Sequence, residues 1–118
     1  VDVENFTSFE AVFDTDLSTD EEKLIPTSSK LLSAYPNPFN NSVTIPYNIH
    51  TKSNVTIIIS NVLGQKILSY HYQNKPPGNY KILWNGNNDR NVSVSGGVYL
   101  VTLKTDSFID YKKIVLLK

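Results

Sequence analysis

A chain of 118 residues makes one domain with room for a tail, large enough to bury roughly two thirds of its unfolded surface. It holds no Cys and no Met, which excludes thiolate catalysis, disulfides and cysteine metal sites, and fits a reducing compartment as well as a bacterial surface. The net charge of zero is a cancellation: residues 1–30 carry eight acidic and two basic side chains, residues 31–118 three acidic and nine basic.

No run approaches the ~18 apolar residues of a membrane span, so no transmembrane segment is expected. Lys52, Lys66, Lys75, Lys81, Arg90, Lys104, Lys112, Lys113 and Lys118 are spread without a cluster. That distribution predicts a solvated basic surface and no nucleic-acid partner. An anionic partner, or the acidic segment folding back on the rest, is the other reading. A start at Val1 without Met reads as a processed or excised piece of a longer polypeptide.

In residues 1–30, Phe6, Phe9 and Phe13 could share a helical face, but residues 14–22 are nearly all polar and Pro26 stops any helix of ordinary length. This stretch is expected to be an acidic linker. The alternatives are that Val1 to Phe13 is the end of a preceding domain or a strand added to the sandwich.

From Leu31 the texture changes. A short apolar run leads into Tyr35-Pro36-Asn37-Pro38-Phe39-Asn40, where two prolines remove two backbone donors and set a rigid bend. Ser42 to Ile49 alternates, and Pro46 within it argues for an edge strand or a bulge. Val55 to Ile59 is a β-branched run, and Asn61-Val62-Leu63-Gly64-Gln65 reverses the chain with Gly64 at positive φ. Lys66 to Tyr72 returns, Pro76-Pro77-Gly78 turns, and Tyr80, Ile82 and Trp84 alternate inward.

After the polar loop Asn85 to Asn91, the final stretch Ser95 to Lys118 reads as a hairpin turning at Thr105, Asp106 and Ser107. Tyr99, Val101 and Leu103 share one face. The closing Ile114, Val115, Leu116 and Leu117 are apolar on both faces and are expected to be covered. About seven short strands with regular turns and no helix after residue 30 predict an all-β fold, an immunoglobulin-like antiparallel β-sandwich.

Catalytic chemistry is not found. His50 and His71 lack metal-ligand spacing, and beyond residue 30 only Asp89, Asp106 and Asp110 are acidic, too few for a carboxylate pair. The loop Asn85 to Asp89 is oxygen-rich but mostly neutral and reads as a turn, so no metal and no cofactor is expected. Trp84 and the seven tyrosines could stack on sugars, although an alternating strand places Trp84 in the core. Asn5, Asn40, Asn54 and Asn91 head N-x-[ST] sequons, which matter mainly in a eukaryotic secretory host.

Five motifs in order, Tyr35 to Asn40, Asn61 to Gln65, Trp84-Asn85-Gly86, Ser95 to Tyr99 and Lys112 to Lys118, resemble the type A C-terminal sorting domain of type IX secretion. The resemblance covers about residues 31–118. It implies a non-catalytic domain of Bacteroidota-type bacteria that takes an upstream cargo domain from the periplasm to the cell surface or medium. The implied partners are an outer-membrane translocon and a surface sortase that cuts between about Leu24 and Leu32. Asn41 stands where the family often has Pro, and Asn85 where it often has Asp.

On this reading the partner-recognition residues are Pro36, Asn37, Pro38, Phe39, Gly64, Gln65, Gly97, Tyr99, Lys112, Lys113 and Lys118. The prolines, Phe39 and Gly64 also have a purely structural reading as corners. The lysines of the last strand are the better contact candidates, with an exposed edge there open to strand pairing. A carbohydrate-binding or adhesive immunoglobulin-like module and a structural spacer are the competing functions.

Overall fold

A computed structural model describes residues 28–118, and the readings of Val1 to Phe13 and of the acidic run lie outside the described residues. Among the described residues seven strands follow one another: β1 (Lys30–Leu31), β2 (Val43–Ile49), β3 (Ser53–Asn61), β4 (Lys66–Lys75), β5 (Gly78–Trp84), β6 (Gly97–Lys104) and β7 (Ile109–Leu116). Among the described residues there is no helix. Every strand pairing is antiparallel, in one sheet ordered β1-β2-β5 and a second ordered β4-β3-β6-β7. The two sheets form the expected sandwich.

Period-two alternation builds the core. Val43, Ile45, Tyr47 and Ile49 of β2 and Ile82 and Trp84 of β5 are buried, as are Val55, Ile57 and Ile59 of β3, Val101 and Leu103 of β6, and Ile114 and Leu116 of β7. Their neighbours in sequence point outward, as a pleated ribbon requires.

Pro46 lies in the middle strand of its sheet, and the pairing gives way around it. The carbonyl of Pro46 accepts from the Leu32 amide at 2.9 Å, so its missing donor faces the same neighbour. β1 ends there, and pairing resumes between Tyr35 and Thr44 after Ser33 and Ala34 have together faced Ile45. The extra residue is the bulge that a proline in a strand demands. Lys30, expected in the linker, belongs to β1, and the Ser29 hydroxyl accepts from the His50 amide at 2.8 Å.

The end of β7 departs from the expectation that four apolar residues are all covered. Ile114 and Leu116 are buried, but Val115 is half-buried and Leu117 is 48% exposed. A two-layer sandwich covers only one face of each strand, so the alternation runs to the end of the chain's last strand.

At the opposite edge of the sandwich four tyrosines meet. The Tyr47 and Tyr80 rings stack at 5.6 Å, and the Lys75 ammonium sits 4.2 Å from the Tyr72 ring and 4.0 Å from that of Tyr80. Burial, reinforced by Tyr72 and Tyr80, pushes the Tyr47 phenol far up, and burial with Tyr72 raises Tyr70. A phenol whose folded pKa lies above its ordinary value of 10.0 stabilises the fold fully below that pH and loses the contribution as pH climbs beyond it. Denaturant midpoints should therefore fall between about pH 8 and about pH 11, and fall less in Tyr47→Phe. An equal fall in the variant would assign the alkaline loss to other groups.

Candidate functional site

The strand directions bring all five motifs toward one pole. β2 starts there and β5 ends there, paired through Val43 and Trp84. β3 ends opposite the start of β6, paired through Asn61 and Tyr99, and Gly97 faces Leu116 near the end of β7. The corner at Pro36 to Phe39, the turn Asn61 to Gln65, the loop after Trp84 and the residues after β7 are thus neighbours.

Trp84 is the hub. It is 1% exposed, its ring meets Phe39 at 5.7 Å and Tyr99 edge-on at 5.3 Å, and its indole N–H donates to the Asn87 carbonyl at 2.8 Å. Tyr99 in turn donates its hydroxyl to the Ser95 carbonyl at 2.5 Å. Three motifs are joined through one aromatic cluster, and the indole offers no face to a sugar.

The corner carries two cis peptide bonds, Tyr35–Pro36 and Asn37–Pro38, and clips onto the outer edge of β7. The Phe39 amide donates to the Val115 carbonyl at 2.9 Å and the Leu117 amide to the Phe39 carbonyl at 2.8 Å. Asn37 continues the clip with its side chain, donating Nδ2 to the Lys113 carbonyl at 3.1 Å and accepting from the Val115 amide at 3.0 Å. The β7 edge from Lys113 to Leu117 is therefore satisfied from within, which corrects the expectation of an edge open to strand pairing there. Asn37→Ala should cost ~1–2 kcal/mol and speed hydrogen exchange at the Val115 amide. Unchanged exchange would show that the side-chain clip does not hold the edge.

The turn after β3 is pinned by Asn61. Its Oδ1 accepts from the Leu63 and Gln65 amides, both at 3.0 Å, its Nδ2 donates to Gln65 Oε1 at 2.8 Å, and Gly64 has φ +83° as expected. Val62 and Leu63 are left 75% and 79% exposed on this rigid turn, beside Ser95 to Val98. Sequence reasoning placed contact at Gly64 and Gln65 and passed over these two apolar tips. The missed signal was an Asn able to hold a tight turn in which an apolar side chain has no way inward.

The lysines do not form one patch. Lys113 faces the outside of the four-stranded sheet, Lys112 lies half-buried on its other face, and the Lys118 ammonium donates to the Ser93 hydroxyl. Gly97 has open space where a Cβ would stand, whereas a Cβ on Gly96 would sit 3.1 Å from the Leu116 carbonyl, so Gly96 is the position where the chains pack tightly. In the loop 85–91, Asn88 Oδ1 accepts from the Arg90 and Val92 amides and Asn87 donates Nδ2 to Asn91 Oδ1, hydrogen bonds of turn geometry that engage the Asn88 and Asn91 side-chain oxygens. Among the described residues no three His, Cys, Asp or Glu side chains group around a metal position.

Fold and pole together define an immunoglobulin-like β-module that displays turns around a packed aromatic hub. The chain belongs to the secretion system C-terminal sorting domain family, whose model matches residues 33–117. Two solved structures share the fold. One is PorZ, an essential bacterial surface component of the type IX secretion system of Porphyromonas gingivalis, at 17% identity and a TM-score of 0.54 over 73% of this chain and 11% of that one. The other is dimeric latent PorU of the same organism, at 18% identity and a TM-score of 0.57 over 75% of this chain and 9% of that one.

The chain thus spans about a tenth of the length of either structure. No curated protein matches it by sequence. Membership makes this a type IX secretion C-terminal sorting domain, which belongs on a secreted or cell-surface protein. No helix of the described residues is long and apolar enough to cross a membrane.

Proposed function

We propose that the domain is a non-catalytic address: it directs an attached cargo from the periplasm through the outer membrane by way of the translocon and is then removed by a surface sortase. The observation that carries this reading is the convergence of five separated motifs on one pole, where the turns are held rigid but their tips are left in solvent. Phe39, Gly64, Gly97 and Tyr99 shape that pole. Pro36, Asn37, Pro38, Gln65, Lys113 and Lys118 surround it together with Val62 and Leu63, while Lys112 stands apart on β7.

The sortase cut falls N-terminal to Lys30. The Leu31 amide donates to Asp110 Oδ2 at 2.9 Å and the Leu32 amide to Pro46, so a peptidase acting on residues 30–32 would first have to strip β1 from the sheet. The part of the expected window from Leu24 to Thr27 lies outside the described residues.

Export is the test. Residues 1–118 are fused behind a fluorescent cargo with a signal peptide in a bacterium that has the type IX system, beside the same fusion with Val62→Ser and Leu63→Ser. The unaltered fusion should leave the cell and lose the domain. Two apolar tips buried against a partner contribute ~1.5–3 kcal/mol each, so the double variant should be exported at least about tenfold less with an unchanged melting temperature. Retention of the unaltered, folded fusion in the periplasm would overturn the address, and full export of the double variant would remove Val62 and Leu63 from it.

A further inference from the structure

The outer face of β6 and β7 runs from the pole, where Val98 and Lys113 border it, toward the far end of the sandwich, and its Leu100, Thr102, Lys104, Ile109 and Tyr111 take no part in the sorting reading. Its register sets Leu100 against Lys113, Thr102 against Tyr111 and Lys104 against Ile109. Leu100, Ile109 and Tyr111 are 38%, 48% and 53% exposed, and Val98 extends the strip at 40%. Four large apolar side chains left this exposed on one strand pair, interleaved with lysine and threonine, make a surface suited to a partner that is itself both apolar and charged. The charges that face it are Lys104 and Lys113. Asp110 is on the other side of β7, where its carboxylate accepts from the Leu31 amide, and Asp106 in the turn beyond accepts from the Asn54 amide at 3.3 Å.

This chain contains a segment of matching chemistry. Residues 1–27 carry eight acidic side chains and one lysine, interleaved with Phe6, Phe9 and Phe13, against ten basic and three acidic side chains in residues 28–118. The segment joins the sandwich beside the strip, because Ser28 and Ser29 border the same hollow as Ser107 and Phe108, next to Ile109. From Lys104 to Val98 the strip is ~20 Å long, while the residues between Phe13 and Ser28 alone span up to ~50 Å when extended.

We propose that segment 1–27 of this chain covers the apolar, lysine-bearing outer face of β6 and β7. Its phenylalanines meet Leu100, Ile109 and Tyr111, and its carboxylates pair with Lys104 and Lys113. The occupant is intramolecular, so attachment at Ser28 supplies a high local concentration and contacts too weak for a free peptide suffice.

Because the chain has no Cys, Ser8→Cys in the whole protein gives a single attachment point for a nitroxide between Phe6 and Phe9. Amide signals of Leu100, Thr102, Tyr111 and Lys113 should broaden, and those of Lys81 and Leu83 on the other sheet should not. Molar salt, or Lys104→Glu with Lys113→Glu, should relieve the broadening at least about twofold, since exposed charge pairs are screened and like charges repel. Broadening that is absent, uniform over the sandwich, or indifferent to the charge reversal overturns the proposal. So does broadening that persists only between labelled and unlabelled molecules in a mixed sample, which would make the occupant a second copy.

Discussion

Trp84→Ala is expected to destabilise the domain by ~3–5 kcal/mol, the cost of emptying a buried indole site. A small domain has ~5–15 kcal/mol in total, so this one change can consume most of its stability. The loss has three physical parts: the contacts to Phe39 and Tyr99, the burial of the ring itself, and the Asn87 carbonyl left without its donor. Urea unfolding of the variant against Leu83→Ala, a change at a 64% exposed neighbour expected to stay within ~0.5 kcal/mol, measures it. Equal midpoints for the two variants would mean that the hub is not what holds the pole.

Phe39→Ala should cost a comparable ~3–5 kcal/mol, with a different local signature. Phe39 is 1% exposed, and its backbone is bonded on both sides to the outer edge of β7, so its ring is the anchor that keeps the corner against that strand. Removing the ring should free the Leu117 amide to exchange well before the sandwich opens as a whole, whereas Trp84→Ala should speed all core amides together. The double variant should fall short of the sum by ~0.5–1.5 kcal/mol, the coupling of a tilted aromatic pair. Leu117 protection that tracks global stability in both variants would show that the corner does not act as a clip.

The fold was legible because its strands alternate cleanly: the inward sets of β2, β5 and β6 can be read from the residues alone, and so can the positive φ of Gly64 and the burial of Trp84. What was not legible depends on contacts between segments far apart in the chain. Nothing local to Asn37 says that its amide will stand in for a backbone unit 76 residues away. Nothing local to Leu117 separates a covered apolar residue from one on the open face. Adjacent lysines on a strand were read as one feature, but the pleat sends Lys112 and Lys113 to opposite faces. Val62 and Leu63 were legible only as members of a turn, and nothing local to them says that both side chains stay in solvent.

The clip at β7 also has a meaning in time. A ribosome makes the corner first and the strand that it grips some seventy residues later, because the partners of Asn37 are Lys113 and Val115. Until β7 has emerged the hub lacks Leu116 beside Gly86, and the Phe39 backbone has nothing to close on. A chain interrupted before that strand cannot assemble the pole, so a receptor that recognises the pole would pass over every copy in which β7 is missing.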